Sequence, residues 1–154
     1  LKVVIANDNS PMQVVISGLI RDIISSEQVF SDNGVKRYVK LNVSAAFHCN
    51  LMNDAQSKLI NEIDKINFKN TSLPIISNYD STINSQKDSI IYALKNQMAN
   101  RVRWTDSIRK LESTDIKQII EIGPGKVLSG LITRITKKFD IKSIDKIEDL
   151  KKIN

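Results

Sequence analysis

Apolar positions along the chain follow two alternating spacings, one typical of strands and the other of helices. Near the N-terminus, β-branched runs at residues 2–6 and 13–17 flank the polar segment 7–11, which ends in a proline. This order predicts two strands joined by a turn. A helical spacing of isoleucines begins after Gly18, and residues 35–43 alternate in part, as a third strand would.

The clearest helix that the pattern predicts covers residues 51–66, because its apolar side chains form one stripe opposite a polar face. Thr105 is the expected N-cap of a second helix. The other predicted elements are a strand at 73–77, helices at 88–98, 104–111 and 126–138, a strand at 118–122, and a final strand and helix within 141–153. Strands and helices in alternation predict an α/β fold.

The composition is that of an ordinary soluble globular domain, with 41% apolar and 26% charged residues. No apolar run is long enough to cross a bilayer, and the first six residues lack the basic start of a signal peptide. Cys49 is the only cysteine, so no internal disulfide can form and a cytoplasmic location is expected. A chain that begins at Leu1 rather than Met is expected to lack residues upstream.

The net charge of +6 narrows the choice of partners only slightly. Many of the lysines fall in residues 137–152, where acidic residues interrupt them, and only 5% of the chain is aromatic. A nucleic-acid surface would interleave its basic residues with aromatics or glycines, so a solvated basic face is the preferred interpretation. Such a face would still suit an anionic partner, such as a CoA phosphate or an acidic carrier protein.

His48, the one histidine, is the main candidate for chemistry. A single histidine is more often structural than catalytic. However, this one follows a predicted strand and precedes a predicted helix, where α/β folds place functional residues. Cys49 is a poor nucleophile for it, because neighbours in extended chain point to opposite sides. A small buried side chain is the preferred interpretation of Cys49.

Motifs that would define the chemistry directly are missing. The chain has no Gly-x-Ser-x-Gly elbow, and one His with one Cys cannot supply a zinc site, so no metal or cofactor is expected. The segment 123–126 (GPGK) resembles a phosphate loop, but Ile120 and Val127 stand where that loop needs Gly and Ser or Thr. The segment is therefore interpreted as a strand-to-helix turn, with Pro124 at the helix start.

Gln97 lies at the edge of the apolar stripe of the predicted helix 88–98, so its amide is expected to be partly buried and to need a partner. A structural hydrogen bond is the default interpretation. A bond to an imidazole N–H would also be sensible chemically, because it would fix the tautomer of a general base.

Four segments occur together in the order and spacing of one protein family and cover essentially the whole chain. They are residues 7–18 (NDNSPMQVVISG), 46–52 (AFHCNLM), 97–104 (QMANRVRW) and 121–131 (EIGPGKVLSGL). On these residues the chain resembles the malonyl-CoA:acyl carrier protein transacylases, which load malonyl groups for fatty acid synthesis.

The resemblance implies a ping-pong acyl transfer between malonyl-CoA and acyl carrier protein, without a cofactor. A serine would attack the malonyl thioester, and a histidine would activate first that serine and then the carrier thiol. By position, His48 corresponds to this base, and Gln97 to the residue whose side-chain carbonyl orients it. Residues 7–13 resemble the loop beside the family's cleft, which makes Asn9 a weaker substrate-binding candidate.

The resemblance also implies a fold. Residues 47–154 would form the C-terminal part of a large α/β-hydrolase-like subdomain, and residues 1–46 the second half of a small ferredoxin-like subdomain inserted in it. The family's Gly-His-Ser-Leu-Gly elbow, its malonate-binding arginine and its glutamine-glycine loop have no counterpart in this sequence, and Met12 stands where a glycine is usual.

The missing motifs leave three expectations open. The chain is an acyltransferase fragment that is inactive alone and competent with a separate N-terminal half, or a non-catalytic module that binds acyl carrier protein or CoA, or a decayed reading frame. In each case an isolated piece would expose surfaces that the remainder normally covers, so poor stability is expected.

Overall fold

A computed structural model describes residues 2–152. The strands are β1 (Val3–Ser10), β2 (Gln13–Gly18), β3 (Ile75–Ile76), β4 (Ile83–Asn84), β5 (Gln118–Ile122) and β6 (Asp140–Ile144). The α-helices are α1 (Ile20–Asp32), α2 (Asn53–Ile63), α3 (Lys87–Asn96), α4 (Trp104–Glu112) and α5 (Val127–Ile135). Two short 3-10 helices cover Asn50–Met52 and Ile147–Lys152. The fold is therefore mixed α/β, as predicted.

Strands β1 and β2 form an antiparallel hairpin whose register runs from Val3 opposite Gly18 to Ser10 opposite Gln13. The sequence predicted a turn from residue 7 onward, but pairing continues to Ser10. Two register shifts absorb the polar residues of β1. The other edge of β1 is also bonded, because Asp8 N–H donates to the Val102 carbonyl (2.9 Å).

Strands β5 and β6 pair in parallel, and α5 makes the crossover between them. Three buried side chains, Ile108, Ile132 and Phe139, form the core cluster between this pair and helices α4 and α5. Partly buried side chains that pack against this cluster are Trp104, Leu111, Ile119, Ile135 and Ile141. Within residues 2–152, no helix is long and apolar enough to span a membrane.

The strand predicted over residues 35–43 is wrong, because this segment has no regular structure. Its one aromatic residue, Tyr38, is held by side-chain contacts: the phenol donates to the Ile23 carbonyl (2.7 Å) and the ring stacks on Phe30. Its apolar residues Val35, Val39, Leu41 and Val43 are exposed. Partial alternation is not sufficient for a strand when no partner ladder lies alongside.

Other boundaries differ from the predicted ones at helix ends. Thr105 is not an N-cap: α4 begins one residue earlier, and the Thr105 hydroxyl instead donates to the Asp8 carboxylate (2.8 Å). Helix α5 ends at Ile135 rather than residue 138, because Thr136 is extended and leads Phe139 back to the core. Pro124 precedes α5 instead of starting it.

Several other helices and strands also differ from the predicted ones. Helix α2 ends at Ile63 instead of residue 66, and the strand predicted at 73–77 is reduced to the two residues of β3. Strand β4, which pairs with β3, was not predicted. The final helix is a 3-10 helix, and Ile153, where it was predicted to end, lies outside the described residues.

Candidate active site

His48 is half-buried and lies in a short connection just before the 3-10 helix that leads into α2. Its backbone is in the left-handed region, with φ of 60°. That conformation is uncommon for residues with a side chain and persists where surrounding contacts enforce it. One such contact is the His48 main-chain N–H, which donates to the Met98 carbonyl (3.1 Å).

The imidazole ring of His48 meets two main-chain carbonyl oxygens through the same nitrogen. Nδ1 lies 3.0 Å from the Gln97 oxygen and 3.1 Å from the Asn100 oxygen. Because carbonyl oxygens only accept hydrogen bonds, this pairing assigns the proton of the neutral ring to Nδ1. Nε2 then carries the free lone pair, so the ring is set up to accept a proton at Nε2.

Gln97 meets His48, but through a different group from the one predicted. The acceptor is its main-chain carbonyl, so the prediction that its side-chain carbonyl makes the contact is wrong. Gln97 is the C-cap residue of α3, and carbonyls at a helix end lack intrahelical partners. Gln97 also lines a cavity of about 240 Å³ between α3 and the β3–β4 hairpin.

Cys49 is buried, with 2% of its surface exposed, and its thiol donates to the Ala46 carbonyl (3.1 Å). The interpretation of Cys49 as a small buried side chain is confirmed.

Asn9 lies in β1 at the second register shift, between the pairs formed by Asp8 and Ser10. Within residues 2–152 no hydrogen bond joins Asn9 to His48. The two are linked only indirectly, since Val102 bonds to β1 and the nearby Asn100 carbonyl bonds to His48. A substrate-binding role for Asn9 stays a prediction.

Two side chains that the sequence did not single out hold the main chain around His48. The Ser17 hydroxyl donates to the carbonyl of Phe47 (2.7 Å), and the Gln56 side-chain carbonyl accepts the N–H of Ala99 (2.9 Å). Their partners are main-chain groups 30 and 43 residues away in sequence, which no sequence pattern encodes.

The Gly-Pro-Gly turn after β5 is closed by a carboxylate. Glu121 accepts the N–H groups of Leu128 (2.9 Å) and Ser129 (2.8 Å) and the Ser129 hydroxyl. Partial burial raises the pKa of Glu121, but the three hydrogen bonds outweigh it, so the pKa lies below its ordinary value. Because Glu121 occupies the N-terminus of α5, the geometry supports a structural turn rather than a phosphate site.

The part of the chain that the structure describes contains no cluster of side chains that could bind a metal ion. Nowhere in residues 2–152 do three His, Cys, Asp or Glu side chains come together as a metal site would require.

Known proteins resemble the chain in both sequence and structure, although no family model matches it. The malonyl CoA-acyl carrier protein transacylase of Bacillus subtilis is 38% identical over 134 residues, which are 87% of this chain and 42% of that protein. An acyl carrier protein S-malonyltransferase from Vibrio cholerae superposes with a TM-score of 0.94 at 32% identity, over 99% of this chain and 50% of that one.

A second similar structure is a malonyl-transacylase in complex with a type II polyketide acyl-carrier protein, with a TM-score of 0.91 at 34% identity, over 96% of this chain and 48% of that one. All three of these proteins are acyltransferases by name, and the chain shares the mixed α/β fold of the two solved structures. The chain belongs to the malonyl CoA-acyl carrier protein transacylase family and spans about half the length of the relatives it matches.

Proposed function

We propose that this chain supplies the general base for malonyl transfer from malonyl-CoA to acyl carrier protein. The observation that carries the proposal is the pair of carbonyl oxygens on His48 Nδ1, which leaves Nε2 free to take a proton. The substrates come from the names of the relatives, which are malonyl CoA-acyl carrier protein transacylases.

The proposed reaction has two halves. In the first, Nε2 takes the proton of a serine hydroxyl as its oxygen attacks the malonyl thioester, and the CoA thiolate leaves with that proton. In the second, Nε2 takes the proton of the carrier thiol, whose sulfur attacks the malonyl ester and releases the serine, which regains the proton. The carbonyls of Gln97 and Asn100 hold the imidazolium in each half.

These 154 residues contain no Gly-x-Ser-x-Gly elbow that could present the serine of this reaction. We propose that it belongs to the remaining half of the family's length, on the same polypeptide or on another.

A chimera tests the proposal. This chain replaces the matching segment of the Bacillus subtilis relative, and malonyl transfer to acyl carrier protein is measured. We expect transfer, and we expect His48→Gln to lower its rate by roughly 100- to 10,000-fold because the proton acceptor is removed.

Cys49→Ser is the matched control, since it keeps a donor for the Ala46 carbonyl but removes the thiol. Its rate should equal that of the parent chimera. A His48→Gln chimera as fast as the parent would contradict the proposal.

One observation favours a second function: the net charge of +6, which suits an acidic carrier protein. Carrier binding that weakens with added salt, together with no transfer by the chimera, would favour a non-catalytic carrier-binding module over the base.

We also propose the finer organisation of the fold, with residues 1–46 as half of a ferredoxin-like subdomain and residues 47–154 as part of an α/β-hydrolase-like one. Its support is that α1 packs on the β1–β2 hairpin before residue 47, while the parallel pair follows it. A cytoplasmic location is proposed from the single free cysteine. An experimental structure of the chimera and cell fractionation test these two proposals.

A further inference from the structure

We propose that Gln56 is a positioning residue for His48. Gln56 lies in the first turns of α2, and its side-chain carbonyl accepts the N–H of Ala99 (2.9 Å). The inference rests on the proposed function, because it assigns Gln56 the task of keeping the His48 ring in the tautomer that a base needs.

The peptide unit that joins Met98 to Ala99 is held at both of its ends. Its carbonyl accepts the main-chain N–H of His48 (3.1 Å), and its N–H donates to Gln56. Because a peptide unit is planar, fixing both polar groups fixes the orientation of the whole plane. Both bonds come from the segment 48–56, and because the C=O and N–H of a trans peptide point in opposite directions, this segment holds the peptide unit from two opposite sides.

The two carbonyls that meet the His48 ring flank this clamped unit. Gln97 precedes it and Asn100 follows it, and each points its oxygen at Nδ1. The Asn100 amide also donates to the Asn96 carbonyl (2.8 Å), which ties the far end of the segment to the last turn of α3. Gln56 therefore acts on the ring through the main chain, and among the described residues no hydrogen bond joins the two side chains.

Loss of the Gln56 acceptor would leave the half-buried N–H of Ala99 without a partner. The peptide unit would then turn to find another acceptor and would carry the neighbouring carbonyls away from Nδ1. A neutral imidazole that no longer faces two acceptors is free to place its proton on Nε2, where it blocks the proposed base.

The test reads the tautomer of His48 directly by nitrogen NMR of the chimera, labelled only over these 154 residues, in which it is the only histidine. In the parent chain we expect the neutral ring to be the Nδ1–H form. In Gln56→Met, which keeps the length of the side chain but not the acceptor, we expect a mixture of both forms. We also expect amide exchange at Ala99 to be faster by on the order of tenfold.

Two further variants separate a specific effect on the His48 ring from a general loss of structure. Asn61→Leu removes an exposed amide from the same helix and should leave both readouts as in the parent. Gln56→Glu keeps an acceptor and should restore the Nδ1–H form. The proposal is overturned if the tautomer of Gln56→Met equals that of the parent, whether or not exchange at Ala99 changes. The readout needs no substrate, so a failure of acyl transfer would count against the proposed function alone.

Discussion

At the residue scale, the site is built from main-chain groups that side chains hold in place. Its residues differed in how far the sequence could predict them. His48 could be found because it is the only histidine and lies between a predicted strand and helix. Gln97 was predicted to meet His48 through its side chain, whereas its main-chain carbonyl makes the contact, and a sequence pattern describes side chains only. Ser17 and Gln56 carried no signal, because each bonds to the main chain of a distant segment.

Ser17 gives a prediction at this scale. Ser17→Ala removes the donor to the Phe47 carbonyl, next to His48, and should lower the stability of the chimera by about 1 kcal/mol. Ser25→Ala, whose hydroxyl bonds only within α1, should cost less. Unfolding in guanidinium measures both, and equal losses for the two variants would contradict the assigned role of Ser17.

Glu121 gives a second prediction, on pH. Its pKa is lowered in the folded state, so its hydrogen bonds stabilise the fold fully above the ordinary value of 4.5. That contribution is lost as the pH falls through the folded value. In the chimera, Glu121→Gln should therefore cost about 1 kcal/mol near neutral pH and nearly nothing in strong acid.

Guanidinium unfolding at several pH values measures the effect of Glu121→Gln. The control is Glu62→Gln, which breaks an exposed pair with Lys65 and should cost little at any pH. A cost for Glu121→Gln that does not change with pH would show that its hydrogen bonds do not depend on the charge.

At the element scale, the sequence predicted most helices and the long strands but misjudged where polar residues interrupt them. The polar residues of β1 stay in the strand because register shifts and bonds to Val102 accommodate them. Residues 35–43 have the composition of a strand but no ladder to join. In both places the outcome depends on distant chain segments, which local spacing does not describe.

The glycines around α5 supply a prediction at the element scale. Gly125 has φ of +84°, so Gly125→Ala should lower the stability of the chimera by about 1 kcal/mol through backbone strain alone, since open space surrounds the site. Gly130, inside α5, also has open space, and Gly130→Ala should raise stability by roughly as much. Unfolding midpoints of the two variants should move in opposite directions, and a shared direction would contradict the assignment of this turn.

At the scale of the whole molecule, exposed large apolar side chains outnumber buried ones within residues 2–152. Two of the most exposed flank the Gly-Pro-Gly turn, Ile122 (81%) and Val127 (71%), and the neighbouring Leu128 is also exposed. Apolar surface of this extent is typical of an interface, and the chain spans about half the length of its relatives. We infer that the remaining half covers this surface.

The chain alone should therefore unfold at a lower temperature and over a broader range than the chimera, because it buries less apolar surface. Calorimetry of both checks this prediction. A monomeric chain with a sharp transition at the temperature of the chimera would contradict it.

We have proposed that these 154 residues supply the base but not the nucleophile of acyl transfer. The most direct test is to incubate the chimera with malonyl-CoA, omit the carrier protein, and locate the malonyl group by mass spectrometry of its peptides. We expect one malonyl ester, on a serine outside these 154 residues, and its loss or strong reduction in His48→Gln. A malonyl group on Cys49 or on any serine of this chain, formed as fast as transfer itself, would show instead that these residues carry the nucleophile.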